Sequence, residues 1–172
     1  MKVFKFGGAS VKDAAGVKNL SSIVHQQHGQ LIVVVSAMGK TTNLLETLCN
    51  AYFHQDPKTT AIMKELKNFH LDIVNTLFPL NDTIHKHLEE LFTSLENILA
   101  SESSLCYDYE YDRIICFGEL ISTTIISDYL KMKGIENQFI DIRKFLKTDQ
   151  NYRNANIDLE LSEQLCKDAF DF

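Results

Sequence analysis

Lys5-Phe6-Gly7-Gly8-Ala9-Ser10 holds the parts of a phosphate cradle. Adjacent glycines let backbone N–H groups approach an anion without Cβ interference, and a serine near a helix start adds a hydroxyl. Lys5 lies in the strand leading into this turn, where its side chain can reach over it as a point charge. The same residues also suit a tight strand-to-helix turn flanked by a lysine whose head stays in water. Both readings stand on this segment alone.

Ser36-Ala37-Met38-Gly39-Lys40-Thr41 follows a second strand and opens a helix. A nucleotide-binding P-loop needs another glycine five residues before Gly39. Val34 stands there, so the loop is too short to wrap a β-phosphate and that reading is excluded. Thr41, Thr42 and Asn43 remain as polar groups at a helix start. They suit caps, and they equally suit a substrate carboxylate or phosphate.

Glu119 is a carboxylate in an otherwise apolar helical stretch, after Ile114-Ile115-Cys116-Phe117-Gly118 and before Leu120-Ile121. Glutamate is almost never buried without a partner. Gly118 and Ser122, four apart, leave one face bare beside it, and a glycine inside a helix costs about 1 kcal/mol. A substrate ammonium is the sharper account of this acid, and a structural salt bridge the competing one. Asp108-Tyr109-Glu110-Tyr111-Asp112 suits the start of a helix, where the dipole favours acids, and carries no chemistry.

The elements that must position these groups follow from hydrophobic spacing. Lys2–Phe6 reads as a strand, and Val17, Leu20, Ile23 and Val24 mark a helix from about Asp13 to His28, stopped by Gly29. Leu31 to Val35 is a continuous apolar run, expected to form a strand buried on both faces. Leu44, Leu45, Leu48 and Ala51 mark the next helix. Two helical stripes follow, Ile62, Leu66, Phe69, Ile73 and Leu77, stopped at Pro79, then Ile84, Leu88, Leu91, Leu95, Ile98 and Leu99. Core packing of two antiparallel helices accounts for them. A long helix is expected from about Asp112 to Lys133, a strand over Gln138–Asp141, and a last helix from Ser162. This order specifies an α/β layered domain with parallel strands and a helical insertion at about 57–104. In such sheets ligands bind at the carboxyl ends of strands, where both glycine-containing turns lie.

The 172 residues, 45% hydrophobic and 23% charged, suit one globular domain or a piece of something larger. No run approaches the ~20 apolar residues that span a bilayer, and the start lacks a signal peptide's apolar core, so the expectation is a cytoplasmic chain without membrane contact. The formal charge is −6. Residues 1–40 carry five lysines against Asp13 alone, so the excess of acid lies downstream. With no basic cluster, no Trp and no arginine-rich segment, nucleic acid is excluded as a partner. Cys49, Cys106, Cys116 and Cys166 are too scattered to pair, and with the six histidines they suggest buried thiols and no bound metal.

Taken together, these segments resemble the N-terminal part of aspartate kinases in the amino acid kinase family. Lys2 to Val11 matches the family's K-F-G-G-T-S-V signature except at Ala9. Ser36-Ala37 through Thr42-Asn43 matches its S-A-x-x-x-x-T-N loop, and Gly118-Glu119-Leu120-Ile121-Ser122 its G-E-L-x-S helix. Asp141-Ile142-Arg143 through Thr148-Asp149 matches its D-x-R-x-x-x-x-T-D segment. The resemblance implies a three-layer αβα amino acid kinase-like sandwich with a mostly parallel sheet. It implies transfer of the γ-phosphoryl of ATP, with Mg2+, to the β-carboxylate of L-aspartate, the entry to lysine, threonine and methionine synthesis.

By the same resemblance Lys5 serves as the catalytic cation on the ATP phosphates, with Gly7, Gly8 and Ser10 as cradle. Ser36, Thr42 and Glu119 bind aspartate, and Arg143 and Asp149 are lesser candidates that shape the pocket. Lys5, Ser10, Thr42 and Glu119 are expected to line one cleft. Residues 1–172 then correspond to the substrate-side portion of the catalytic domain, without the nucleotide-side half and the ACT domains. Such a portion is expected to be inactive alone and to belong to a homo-oligomer. A bifunctional aspartate kinase–homoserine dehydrogenase and a non-catalytic regulatory module on the same scaffold are the alternatives.

Overall fold

The computed structural model describes residues 1–78 and 83–170. Its order is β1 (Lys2–Phe6), a 3-10 turn (Gly8–Val11), α1 (Ala14–His25), β2 (Leu31–Val35) and α2 (Thr41–Phe53). Then come α3 (Thr59–Leu77), α4 (Thr83–Ala100), α5 (Tyr107–Ile115), α6 (Phe117–Met132) and, after a 3-10 turn at Ile142–Lys144, α7 (Leu159–Ala169). Pro79, expected to stop α3, lies outside the described residues.

β1 and β2 pair in parallel, from Lys2 opposite Leu31 to Phe6 opposite Val35. Side chains alternate across a strand, so Phe4, Phe6, Val33 and Val35 share one face, and Phe6, Val33 and Val35 pack on the core. Val3, Lys5, Ile32 and Val34 share the other. That second face is open: Val3 is 60% and Val34 45% exposed. The apolar run of β2 is therefore covered on one side only, against the expectation of burial on both.

Helix boundaries have local causes. Asp13 caps α1, its carboxylate accepting from Gly16 N at 2.8 Å, and Gly29 takes the left-handed φ of +82° that turns the chain back into β2. Asp158 caps α7 by accepting from Leu161 N. That helix starts before Ser162, the expected start, because its first turn exposes Leu159 and Leu161 and so lacks an inward stripe.

The expected helix from Asp112 is two helices, with Cys116 as the turn between them. The acidic Asp108–Asp112 stretch lies at the start of a helix as expected, in the first turns of α5. No strand forms at Gln138–Asp141. A strand needs a neighbour for its backbone groups, and among the described residues the sheet has two strands only. Asn137 instead ties this stretch to α6, donating to Ser127 O at 3.1 Å and accepting from Ser127 Oγ at 2.7 Å.

The core runs through the helices. α6 buries residues on nearly all sides, among them Ile121, Ile125 and Tyr129, and it packs on β2, α1, α2, α4 and α5. α4 presents Ile84, Leu88, Phe92 and Leu95, and α3 presents Met63, Leu66, Ile73 and Val74. His70 is buried in the same stripe of α3. The four thiols are free, and of these Cys49 alone is buried.

Ile121 is fully enclosed at the middle of α6. Ile121→Ala is expected to lower unfolding stability by roughly 2–5 kcal/mol through lost transfer energy and a residual cavity, read from urea midpoints at unchanged slope. A loss under 0.5 kcal/mol would contradict α6 as the centre of the core.

Candidate functional site

The two glycine-containing loops are bonded to one another at the carboxyl ends of the strands. Ser36 N donates to Phe6 O at 3.1 Å, and Gly39 N to Gly8 O at 3.0 Å. A Cβ on Gly8 would stand 2.6 Å from Ala37 O and 3.1 Å from Gly39 O, so no other residue fits there. Gly39 holds φ at +55°, which turns the second loop into α2.

Lys5 stands on the open face of the sheet, and its Nζ lies 3.7 Å from where a Gly7 Cβ would be. The ammonium thus bends over the Gly7-Gly8 turn. Ser10 is exposed beside it, its N–H donating to Gly7 O at 2.8 Å to close the 3-10 turn.

Glu119 arrives from the first turn of α6. Its Oε1 accepts from Ala37 N at 3.2 Å. The residue is exposed, which corrects the expectation of an acid sunk in an apolar helix. α6 begins only at Phe117, so Glu119 sits at a helix mouth facing the loops. The bare face beside it has an occupant from the chain itself. A Cβ on Gly118 would lie 2.9 Å from Ala37 Cβ and 3.1 Å from Leu45 Cδ1, and Ser122 Oγ donates to Ser36 O at 2.8 Å. Gly118 and Ser122 thus let α6 press on the β2–α2 loop.

In that loop Ser36 is half-buried, and Thr42 is exposed in the first turn of α2. Thr41 points inward, 2% exposed, with Oγ1 3.4 Å from His70 Nε2. His70 Nδ1 stands 2.8 Å from Leu66 O. Burial drives the His70 pKa down to about 4, so the ring is neutral near pH 7. Sequence reasoning did not single out His70. Its signal was a polar residue inside a helical apolar stripe, four after Leu66 and three before Ile73.

Arg143 forks onto Asp141, with Nε–Oδ1 at 2.9 Å and Nη2–Oδ2 at 2.7 Å, and holds that carboxyl below its ordinary range. Its Nη1 lies 3.2 Å from Cys116 Sγ, one helical turn from Glu119. Burial raises the Cys116 thiol pKa despite the guanidinium. Asp149 is not brought to this cluster by any contact. It accepts from Asn151 N and from Asn156 N and Nδ2, bracing its own loop.

Lys5, Gly7, Gly8, Ser36, Thr42 and Glu119 therefore share one end of the sheet. Lys5, Ser10, Thr42 and Glu119 are all exposed. Two cavities lie elsewhere, one of about 840 Å3 among Tyr52, Met63, Lys67 and Leu99, the other of about 330 Å3 among Lys40, Thr41, Glu65 and Phe69. Among the described residues no three His, Cys, Asp or Glu gather to hold a metal ion, and no helix is long and apolar enough to cross a membrane. The surface offers a cation over a glycine turn, exposed hydroxyls and one carboxylate, a set that can hold phosphate and an amino acid side by side.

Comparison with known proteins gives the same outline. Residues 1–171 match the model of the amino acid kinase family. "Aspartokinase 2, chloroplastic" of Arabidopsis thaliana is 31% identical over 164 residues, 90% of this chain and 29% of that protein. "Bifunctional aspartokinase/homoserine dehydrogenase" of Buchnera aphidicola is 28% identical over 95% of this chain and 21% of its own length. Two crystal structures of E. coli aspartokinase III, each 25% identical, superpose over 96% of this chain. The complex with lysine and aspartate has a TM-score of 0.86 and is covered to 37%, and that with aspartate and ADP 0.85 and 36%. The chain thus spans less than two fifths of each protein's length.

The buried neutral histidine has a consequence for pH. Unfolded, His70 takes up a proton below its ordinary pKa of 6.5, whereas folded it does so only near 4. Its contribution to stability is therefore full above pH 6.5 and is lost as pH falls toward 4, a total on the order of 3 kcal/mol. Urea midpoints from pH 7 to 4.5 should fall more steeply for the native chain than for the non-titrating His70→Gln. Parallel pH profiles would contradict a buried neutral ring.

Proposed function

The chain belongs to the amino acid kinase family and has its α/β fold, and we propose that it is the N-terminal, substrate-side portion of an aspartate kinase catalytic domain, with α3 and α4 as a helical insertion over about 57–104. The observation that carries this reading is one shared surface. A lysine with no ion pair among the described residues covers a glycine turn, and an exposed glutamate meets the adjoining loop at Ala37. The complex of E. coli aspartokinase III with aspartate and ADP supports it by likeness of fold.

In the proposed reaction the β-carboxylate of L-aspartate attacks the γ-phosphorus of ATP, the bond from that phosphorus to the bridging oxygen breaks, and ADP leaves. A carboxylate with a pKa of about 3.9 is already ionised near neutrality, so no general base is required. The chain's own groups then act by placement and by charge. Lys5 offsets negative charge on the transferring phosphoryl. Gly7 and Gly8 let backbone approach the phosphates, and Ser10 adds a hydroxyl. Glu119 pairs with the α-ammonium of aspartate, and Ser36 and Thr42 orient its carboxylates. Arg143, locked on Asp141, shapes the ground beside Cys116, while Asp149 acts only through its loop.

Mg2+ would enter with ATP, on its phosphates, as the resemblance to aspartate kinases implies. A cytoplasmic homo-oligomer is part of the proposal, and the Buchnera relative supports fusion to homoserine dehydrogenase as a second reading.

The test is aspartate-dependent ADP release by the product of the complete open reading frame, with the 172-residue chain alone expected to turn over little. Lys5→Ala should lower kcat by roughly 10²–10³, as removal of a transition-state charge donor does. Glu119→Gln should raise KM for aspartate by roughly 10–100-fold, the worth of a charge-assisted contact, with a smaller change in kcat. A complete product that binds ATP yet releases no ADP with aspartate would overturn the reading.

A further inference from the structure

We propose that His70, on α3, is a positioning residue for the loop from Ser36 to Thr42, acting as the fixed acceptor for the Thr41 hydroxyl. The inference rests on reading that loop as the aspartate-binding one.

The ring's proton is assigned by its partners. Leu66 O, 2.8 Å from Nδ1, can only accept, so Nδ1 carries the hydrogen. Nε2 is then a bare acceptor, and Thr41 Oγ1, at 3.4 Å, must donate. That donation fixes the threonine rotamer. Thr41 is itself buried, and its N–H donates to O of fully buried Met38 at 3.0 Å. Its methyl lies 3.5 Å from where a Gly118 Cβ would be. Turning Thr41 therefore disturbs the loop and the start of α6 together.

α3 grips the loop at a second point. Phe69 Cζ lies 3.6 Å from where a Gly39 Cβ would be, and Lys12 Cβ 3.5 Å from it. Phe69 and His70 meet edge to face at 4.9 Å. Consecutive residues of one helix thus hold Gly39 and Thr41, and Thr42 follows directly.

Helix capping does not explain the contact. Lys40 is the N-cap of α2 and makes no side-chain cap bond, and Thr41 spends its hydroxyl on another helix. An apolar pair would fill the same space without desolvating a ring nitrogen. What the polar pair adds is a single permitted orientation.

The test pairs Thr41→Val, isosteric but without the hydroxyl, with Thr41→Ser, which restores it. In the complete gene product, Thr41→Val should raise KM for L-aspartate about tenfold, one neutral hydrogen bond's worth, with kcat close to native. With 15N-labelled Gly, Thr and His, it should also shift the amides of Gly8, Gly39 and Thr42, while native His70 shows a protonated Nδ1 and a bare Nε2. Thr41→Ser should return KM and amide shifts to native values. A role confined to stability would lower Tm and leave KM and the loop amides unmoved, which would overturn the proposal, as would a protonated Nε2. If the native protein does not turn over aspartate, the functional reading fails. The amide shifts and the tautomer then decide the positioning of the loop by themselves.

Discussion

Ala37 is the point on which the candidate site depends. Its carbonyl oxygen lies against Gly8, its Cβ against Gly118, and its N–H donates to Glu119. One residue of the β2–α2 loop therefore receives the first strand's turn and the start of α6. Both approaches are closer than any side chain at Gly8 or Gly118 would allow. Interiors packed this densely transmit displacement instead of absorbing it. A shift of this loop moves the cradle and the carboxylate together.

The charges at this end of the sheet are kept apart from one another. Glu119 is engaged by a backbone N–H, and Arg143 by Asp141, so neither joins Lys5 in a bridge. A cation and an anion that neutralised one another would offer a ligand little, because surface pairs in water gain only about 0–1 kcal/mol. Held on a common scaffold but facing separate positions, they can each meet an opposite charge brought by substrate. The open face of β1 and β2, with Lys5 beside Val3 and Val34, keeps that ammonium accessible.

The outline of this arrangement was legible in the sequence, and its details were not, for identifiable reasons. Paired glycines after an apolar strand and a polar turn after a β-branched run specify loops at strand ends, because those residue types have few other uses. Gly118 was legible as an anomaly but not in its cause. The sequence shows a missing side chain, whereas only the fold shows that Ala37 fills the space. Glu119 looked buried because apolar neighbours on a helix suggest burial, yet the break at Cys116 turns that residue out at a helix end. The strand expected near Gln138 failed because strand formation depends on a pairing partner, which local pattern does not supply. His70 escaped notice because its role depends on Thr41, 29 positions away.

In the proposed reaction, the carboxylate acceptor accounts for why so much structure holds loops still. With the nucleophile already ionised, the proposed chemistry leaves the protein no proton to move, and rate must come from where atoms stand. A displacement of about 1 Å in a reacting group can cost 10²-fold. The helical pair α3 and α4 offers no catalytic side chain to the shared surface, but it fits this logic as a buttress. α3 holds Gly39 and Thr41 from behind, and α4 packs on α6, whose first turn carries Glu119. The two helices thus brace both sides of the proposed aspartate-binding end, which gives packing residues remote from the proposed chemistry a share in its precision.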